Sequence, residues 1–229
     1  MKVGIIGNGL SSLALARALV NQNIRVDLIA EKKIKKINIS RTIGISKANV
    51  EFFNNNIINI EKIIWKLKKI EIFTDNLHKE KLINFENQNQ ELFSILKNNV
   101  LFELLNKSLS KSKYFKRINI YKNLNFINNY NLIINTDSSN NIAKKYFSKK
   151  IIKKYNCVAY TTIIKHKKIV NDTATQIFTK RGPLAFLPVS KSETSIVYSV
   201  FNPEDIIKDN VKHLIEKYNF KYKFEKIGK

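Results

Sequence analysis

Lys2-Val3-Gly4-Ile5-Ile6-Gly7-Asn8-Gly9-Leu10-Ser11-Ser12, read onward to Ala30-Glu31, is the stretch that decides the fold. Lys2 to Ile6 is an apolar strand. Gly7 supplies a tight turn, and Gly9 offers a backbone with no side chain, where a diphosphate can reach N–H groups. The spacing predicts a helix from Leu10 to about Asn21, whose positive N-terminal end points at that diphosphate. Arg25 to Ala30 then reads as a second, parallel strand. It delivers Glu31 to the position where an acid accepts hydrogen bonds from an adenosine ribose. Ser12 stands where a third glycine would let helix and strand pack closely. The competing reading is a buried turn with no ligand. An acid at Glu31 favours a free ribose hydroxyl, so FAD or NAD fits this site better than NADP.

Met1-Lys2 and Ala14-Leu15-Ala16 together imitate a secretory signal peptide. Gly7 and Gly9 break its apolar run, Arg17 follows the supposed cleavage point, and cleavage would destroy the nucleotide-binding unit. No stretch reaches the roughly 18 uninterrupted apolar residues of a membrane-spanning helix. Cys157 is the single cysteine, which rules out an internal disulfide framework and fits a reducing, cytoplasmic compartment.

The chain of 229 residues can bury a real core. Its formal charge of +23 invites a nucleic-acid or membrane partner. Only five of the 41 basic residues are Arg (Arg17, Arg25, Arg41, Arg117 and Arg181), and the lysines come with excess Asn and Ile. These three residue types have A/T-rich codons, so genome bias explains the charge. Base readers use the Arg fork, and no basic helix with interleaved aromatics is present, so no nucleic-acid partner is expected. A general attraction to anionic lipid stays physically reasonable.

Further along, Ser46 is a candidate N-cap for a helix to about Asn54. Short strands are expected between Ile57 and Ile83. The apolar residues of 93–110 have helical spacing. Ile118-Asn119-Ile120-Tyr121 and Leu132-Ile133-Ile134-Asn135 read as strands, the second ending at Thr136-Asp137, where an open parallel sheet has its ligand crevice. From Tyr155 the runs Cys157 to Ile164, Thr175 to Phe178 and Thr194 to Phe201 suggest an antiparallel sheet. The segment 181–188 is too apolar for a surface turn, and 204–218 reads as a final helix. His78, His166 and His213 have no ligand-type spacing, so no metal is expected. Cys157 reads as a small core residue, and Trp65 as packing.

These pieces resemble, in order, the ubiquinone-biosynthesis hydroxylases, a branch of the FAD-dependent aromatic monooxygenases related to para-hydroxybenzoate hydroxylase. The matching segments are Gly7 to Ser12, Glu31, Arg41 through Ser46, the helix containing Asn98-Asn99-Val100-Leu101, Leu132 to Asp137, and Gly182-Pro183-Leu184-Ala185-Phe186-Leu187-Pro188. The resemblance implies an α/β fold: a Rossmann-like FAD-binding domain (1–60 and 92–150) with an inserted, mostly antiparallel β-sheet substrate domain (61–91 and 151–229). It implies that Gly7, Gly9, Leu10, Ser11 and Ser12 hold the FAD diphosphate, Glu31 the adenosine ribose and Arg41 the flavin side. Asp137 matches the acid of the family's Asp-Gly motif, and Gly182, Pro183, Leu184 and Pro188 would lie on the substrate side. Ser138 replaces the motif's glycine, and Asn141 stands where the family prefers Ser, which bears on access of the reduced nicotinamide.

The implied reaction takes electrons from NADH or NADPH and uses molecular oxygen to hydroxylate a polyprenylated phenol. The cofactor carries the chemistry, so no protein nucleophile is required, and the sequence assigns no catalytic residue. A peripheral contact with the inner membrane is expected for such a substrate. Nothing after Pro203 matches the family's Gly-Asp motif, so the resemblance also implies a missing C-terminal part, supplied by a partner polypeptide if at all. The alternatives are an NAD-dependent Rossmann oxidoreductase using the Gly7 turn and a non-catalytic remnant of the flavoprotein.

Overall fold

The computed structural model describes residues 1–30, 38–75, 80–87, 90–119, 124–146, 149, 151–201 and 209–227. Two compact units divide the chain. The first holds Met1–Asn38, Ala48–Lys62 and Asn98–Ile152; the second holds Ile39–Lys47, Ile63–Lys97 and Lys153–Lys229.

In the first unit, strand β1 (Lys2–Ile6) runs through the Gly7 turn into helix α1 (Leu10–Asn21) and strand β2 (Arg25–Ala30). The helix forms because Ser12, Leu13, Ala16 and Val20 place one stripe against the sheet, where all four are buried. It stops at Gln22, and Asn23 takes φ +58°, a left-handed conformation that Asn tolerates at a helix end. Asn21 Nδ2 then donates to the carbonyls of Asn56 and Ile57 at the end of α2 (Lys47–Asn56). Strands β8 (Phe115–Asn119) and β9 (Leu132–Asn135) complete a parallel sheet in the order β8-β2-β1-β9. Helix α3 (Asn98–Leu109) packs along α1 and buries Leu101, Phe102, Leu105 and Leu109. On a separate apolar cluster, Ile6, Ile29 and Ile142 of helix α4 (Asn141–Tyr146) meet Ile127, Tyr130 and Ile133.

The second unit contains a three-stranded sheet, β3-β7-β4, formed by β3 (Thr42–Ser46), β4 (Ile64–Leu67) and β7 (Phe93–Lys97). It also contains a seven-stranded sheet in the order β14-β10-β13-β12-β11-β5-β6. Its members are β5 (Lys69–Thr74), β6 (Lys81–Glu86), β10 (Cys157–His166), β11 (Thr173–Thr179), β12 (Gly182–Pro188), β13 (Glu193–Phe201) and β14 (Phe224–Ile227). All its pairings are antiparallel except β11 with β5. Helix α5 (Asp209–Tyr218) sends Ile215 into the core of this sheet beside Leu184, Phe186, Ile196 and Tyr198.

Four expectations from sequence need correction. Residues 93–97 form a strand, because β7 lies between β3 and β4 with Ser94, Ile95 and Leu96 all buried. A strand covered on both faces shows no alternation and reads like a helix. For the same reason 39–47 and 92–97 belong with the second unit and not with the dinucleotide-binding one: β3 and β7 pair with each other, and β7 with β4. Strand β8 begins at Phe115, with Ile120 and Tyr121 outside the described residues. Cys157 is exposed at the start of β10 and is not part of the core.

A buried polar network closes the second unit's core. Nδ1–H of His166 donates to the Lys167 carbonyl (2.9 Å), so Nε2 accepts from the Thr194 hydroxyl (3.0 Å). Thr194 Oγ1 in turn accepts from Asn171 Nδ2 (3.1 Å), and the Tyr222 hydroxyl donates to Asn171 Oδ1 (3.0 Å). Trp65 Nε1 donates to the Asn171 carbonyl (2.6 Å). The Tyr222 ring lies 4.6 Å from that of His166 and 6.0 Å from that of Phe186. Burial pushes the Tyr222 phenol up to about 12.

The folded chain therefore holds the Tyr222 proton more tightly than the unfolded chain, where a tyrosine ionises near about 10. The resulting stability is fully present below pH 10 or so and is lost as pH rises through about 12. Tyr222→Phe is expected to flatten this alkaline loss, by up to about 1.4 kcal/mol per pH unit, in unfolding curves taken across that window. An unchanged alkaline slope in the variant would show that Tyr222 does not carry it.

Candidate functional site

Strand order determines where a ligand can sit on the first unit. β1 has β2 on one side and β9 on the other, so successive connections leave in opposite directions. A crevice opens beyond the carboxyl ends of β1 and β9 at such a switch point. Ile6 pairs with Asn135, so the Gly7 turn and the Thr136-Asp137 loop emerge side by side.

Gly7 has φ +129° and donates its N–H to the Ile29 carbonyl (3.0 Å). A Cβ there would lie 2.2 Å from Thr136 Oγ1 and 2.9 Å from Ser12 Oγ, so both conformation and space demand glycine. Gly9 differs. It is the N-cap of α1 with φ −89° and ψ 178°, extended backbone open to any residue, and a Cβ there would meet nothing within 4 Å. Serine or aspartate would cap the helix as well or better. The fold alone gives no steric reason for glycine at this exposed position, whereas a ligand drawn close to the backbone does.

Ser12 and Thr136 shape the turn from beneath. The Gly9 N–H donates to Ser12 Oγ (3.2 Å), the return half of a capping box. Thr136 Oγ1 donates to the Ile6 carbonyl (2.9 Å), which leaves the Ser12 hydroxyl to donate to Thr136 Oγ1 (2.7 Å). The serine in place of a third glycine thus ties turn, helix and β9 into one hydroxyl chain. Leu10 and Ser11 follow as the first helical residues, with Ser11 exposed. Backbone N–H groups at this end of α1, with the helix's positive pole, suit an anion.

Asp137 lies exposed beside the turn. Its Oδ1 accepts from the Ser139 N–H (2.9 Å) and hydroxyl (2.6 Å), closing its own loop. The described non-glycine residues with positive φ are Asn23 and Asn156, so Ser138 does not take the conformation that glycine would serve. Asn140 Oδ1 caps α4 through the Ala143 N–H (2.8 Å). Glu31 lies outside the described residues, one position beyond the end of β2.

Three features of this unit have side-chain roles that the sequence pattern does not give, although two of them lie within the segments that carry the resemblance. Thr136 completes the hydroxyl chain. Arg117 on β8 donates to Asn8 Oδ1 in the middle of the turn (3.0 Å) and to Asn106 Oδ1 on α3. Asn98 Oδ1 and Asn99 Oδ1, at the start of α3, are buried with no hydrogen-bond partner among the described residues. An orphaned buried acceptor costs about 1–3 kcal/mol, and a ligand carrying hydroxyl or N–H donors would relieve it. The open space over Gly9 and these two acceptors both fit FAD, which brings a diphosphate and a ribityl chain of hydroxyls.

In the second unit, Arg41 is exposed just ahead of β3. Its neighbours are tied to the large sheet: Ser40 Oγ to Thr161 Oγ1 (2.8 Å) and Thr42 Oγ1 to Ser195 Oγ (3.1 Å). Thr161 pairs with Val197 and Val197 with Ala185, while Ser195 pairs with Leu187, so the backbone on either side of Arg41 is tied to the face bearing Ala185 and Leu187. Segment 182–188 is strand β12, and its side chains alternate. Gly182, Leu184, Phe186 and Pro188 are buried, with Leu184 fully so in the core, while Pro183, Ala185 and Leu187 are half-buried on the opposite face. Of the four residues expected on the substrate side, Gly182, Leu184 and Pro188 therefore share one face with Phe186, and Pro183 shares the other with Ala185 and Leu187, the last packed against the cluster of Leu67, Ile95 and Ala174.

Among the described residues no group of three His, Cys, Asp or Glu side chains could hold a metal, and no helix is long and apolar enough to cross a membrane. His166 is a buried structural residue, and His213 is exposed.

The parallel sheet with its switch-point turn, followed by the large mixed sheet, matches solved structures along nearly the whole chain. The chain has the fold of the FAD-dependent monooxygenases. Against p-nitrophenol 4-monooxygenase PnpA from Pseudomonas putida DLL-E4 the TM-score is 0.70 at 12% identity, covering 99% of this chain and 66% of that one. Against Klebsiella pneumoniae HpxO complexed with FAD and uric acid it is 0.69 at 14% identity, covering 95% and 61%. A geranylgeranyl bacteriochlorophyll reductase-like protein from Thermoplasma acidophilum gives 0.67 at 13% identity, covering 99% and 64%. The chain thus spans between 61% and 66% of the length of these three proteins. No protein-family model matches the sequence, and no curated protein sequence matches it. One of these three is named as a monooxygenase and another as reductase-like, so the reaction must be argued from the residues and not from the fold.

Proposed function

We propose that this chain binds FAD through its first unit and belongs to a monooxygenase that hydroxylates a phenol. The substrate class implied by the resemblance is a polyprenylated phenol of ubiquinone biosynthesis. The observation that carries the reading is Gly9: a helix-capping glycine with allowed φ, open space above it, and anion-ready N–H groups around it. The Gly7 to Ser12 turn would hold the diphosphate, Glu31 the ribose, and Asp137 the polar middle of the cofactor. Arg41 would serve the flavin end, and the face bearing Pro183, Ala185 and Leu187 would receive the apolar substrate. Bound FAD would supply the redox chemistry between NADH or NADPH and molecular oxygen, and the protein's part would be to orient the partners and exclude water. The proposed setting is the cytoplasm, with a peripheral contact at the inner membrane.

The test is a titration of the purified chain with FAD, followed by flavin fluorescence and absorbance, with NAD as a competitor. Saturable flavin binding that NAD does not displace supports the proposal and justifies assaying phenol-dependent NADH or NADPH oxidation. Binding of NAD without flavin would overturn it in favour of a nicotinamide-dependent oxidoreductase. Binding of neither would leave a non-catalytic remnant.

A further inference from the structure

Two of the three residues of the Gly7-Asn8-Gly9 turn are glycines, which leaves its backbone intrinsically pliable. A turn that cradles a diphosphate must nevertheless keep its N–H groups aimed outward. The Ser12 and Thr136 hydroxyls hold it from beneath, but they act at Gly9 and at the strand ends and do not reach Asn8. Asn8 is held from the flank. One arm of the Arg117 guanidinium donates to Asn8 Oδ1 (3.0 Å), and the other donates to Asn106 Oδ1, so β8, α3 and the turn are joined at one side chain. The guanidinium also lies 5.8 Å from the ring of Phe115, two residues earlier on the same strand, within cation–π range.

Both hydrogen-bond partners of Arg117 are neutral amides, and among the described residues no carboxylate pairs with it. Burial lowers the guanidinium from its usual value, as expected for a cation that has lost water without gaining an acid. The two-pronged contact needs a planar fork, which a lysine ammonium cannot reproduce. This chain uses Arg at only five of 41 basic positions, and one of the five stands here.

We infer that Arg117 is a positioning residue of the dinucleotide site: it clamps Asn8 against α3 to fix the turn, and its charge, paired with no carboxylate among the described residues, favours a diphosphate there. This inference rests on the FAD reading above. The test compares wild type with Arg117→Ala, Arg117→Lys and Asn8→Ala in FAD titrations, with ADP as a competitor carrying the same diphosphate. Arg117→Ala is expected to weaken FAD and ADP together by about tenfold, the scale of one lost charged hydrogen bond. Arg117→Lys should recover only part, and adding Arg117→Ala to Asn8→Ala should cost less than it does alone.

Amide exchange on the ligand-free chain supplies a readout that general destabilisation would not mimic. Asn8 to Ser11 should exchange faster in Arg117→Ala while the centres of β1 and α3 do not change. Unchanged FAD affinity, or exchange raised evenly throughout the unit, would overturn the inference. A wild type that binds no FAD removes the functional reading of the site, and the exchange pattern still decides whether Arg117 holds the turn.

Discussion

A Gly9→Glu chain is expected to fold with wild-type stability, within about 1 kcal/mol, and to bind no FAD at any accessible concentration. Gly9 has extended backbone that any residue adopts, and a Cβ there meets nothing within 4 Å, so the substitution costs no packing. The glutamate instead places bulk and negative charge where a diphosphate would approach the α1 N-terminus. Gly9→Ala, with bulk but no charge, should weaken binding less. Gly7→Ala makes the contrast: at φ +129° with Thr136 Oγ1 2.2 Å from the new Cβ, it should fail by unfolding the turn. Circular dichroism melts and flavin titrations on the same three variants separate the two kinds of failure. If Gly9→Glu binds FAD like wild type, the diphosphate does not sit on this turn.

Gly182→Ala is expected to be the most destabilising single-methyl change in the second unit, by about 3 kcal/mol or more. Gly182 opens β12 after the Lys180-Arg181 turn with φ +132°, and an added Cβ would lie 2.1 Å from the Ser199 carbonyl oxygen on β13. That atom is backbone, on a strand fixed by the pairing of Ser199 with Ala159 of β10, and cannot swing aside. At this chain length the loss corresponds to a fall in Tm of roughly 10 °C. Gly44 supplies the control. Its added Cβ would meet the far end of the Phe93 ring at 2.1 Å, and a ring can turn, so Gly44→Ala should cost clearly less. Equal Tm values for the two variants would contradict this difference between a fixed and a movable neighbour.

The first thirty residues were legible from the sequence because their signals are local: an apolar run, two glycines at fixed spacing, a helical stripe and a second apolar run. The helix from Leu10 to Asn21 and the strand from Arg25 to Ala30 follow from contacts within one supersecondary unit, and the structure has both. The run Gly182 to Pro188 is apolar throughout, which argued against a surface turn but carried no strand period; the period appears only in its burial. Elsewhere the deciding contacts are distant in sequence. Phe93 to Lys97 is a strand only because β3 and β4 flank it, and without them its apolar residues suit a helix equally well. Which face of β12 is buried depends on α5 and Tyr222, so a uniformly apolar run left Leu184 and Ala185 interchangeable. The same limit hid Thr136 and Arg117. Their partners Ser12 and Asn8 lie more than a hundred residues away, and a hydroxyl or guanidinium gains a role only when the tertiary fold brings its acceptor within about 3 Å.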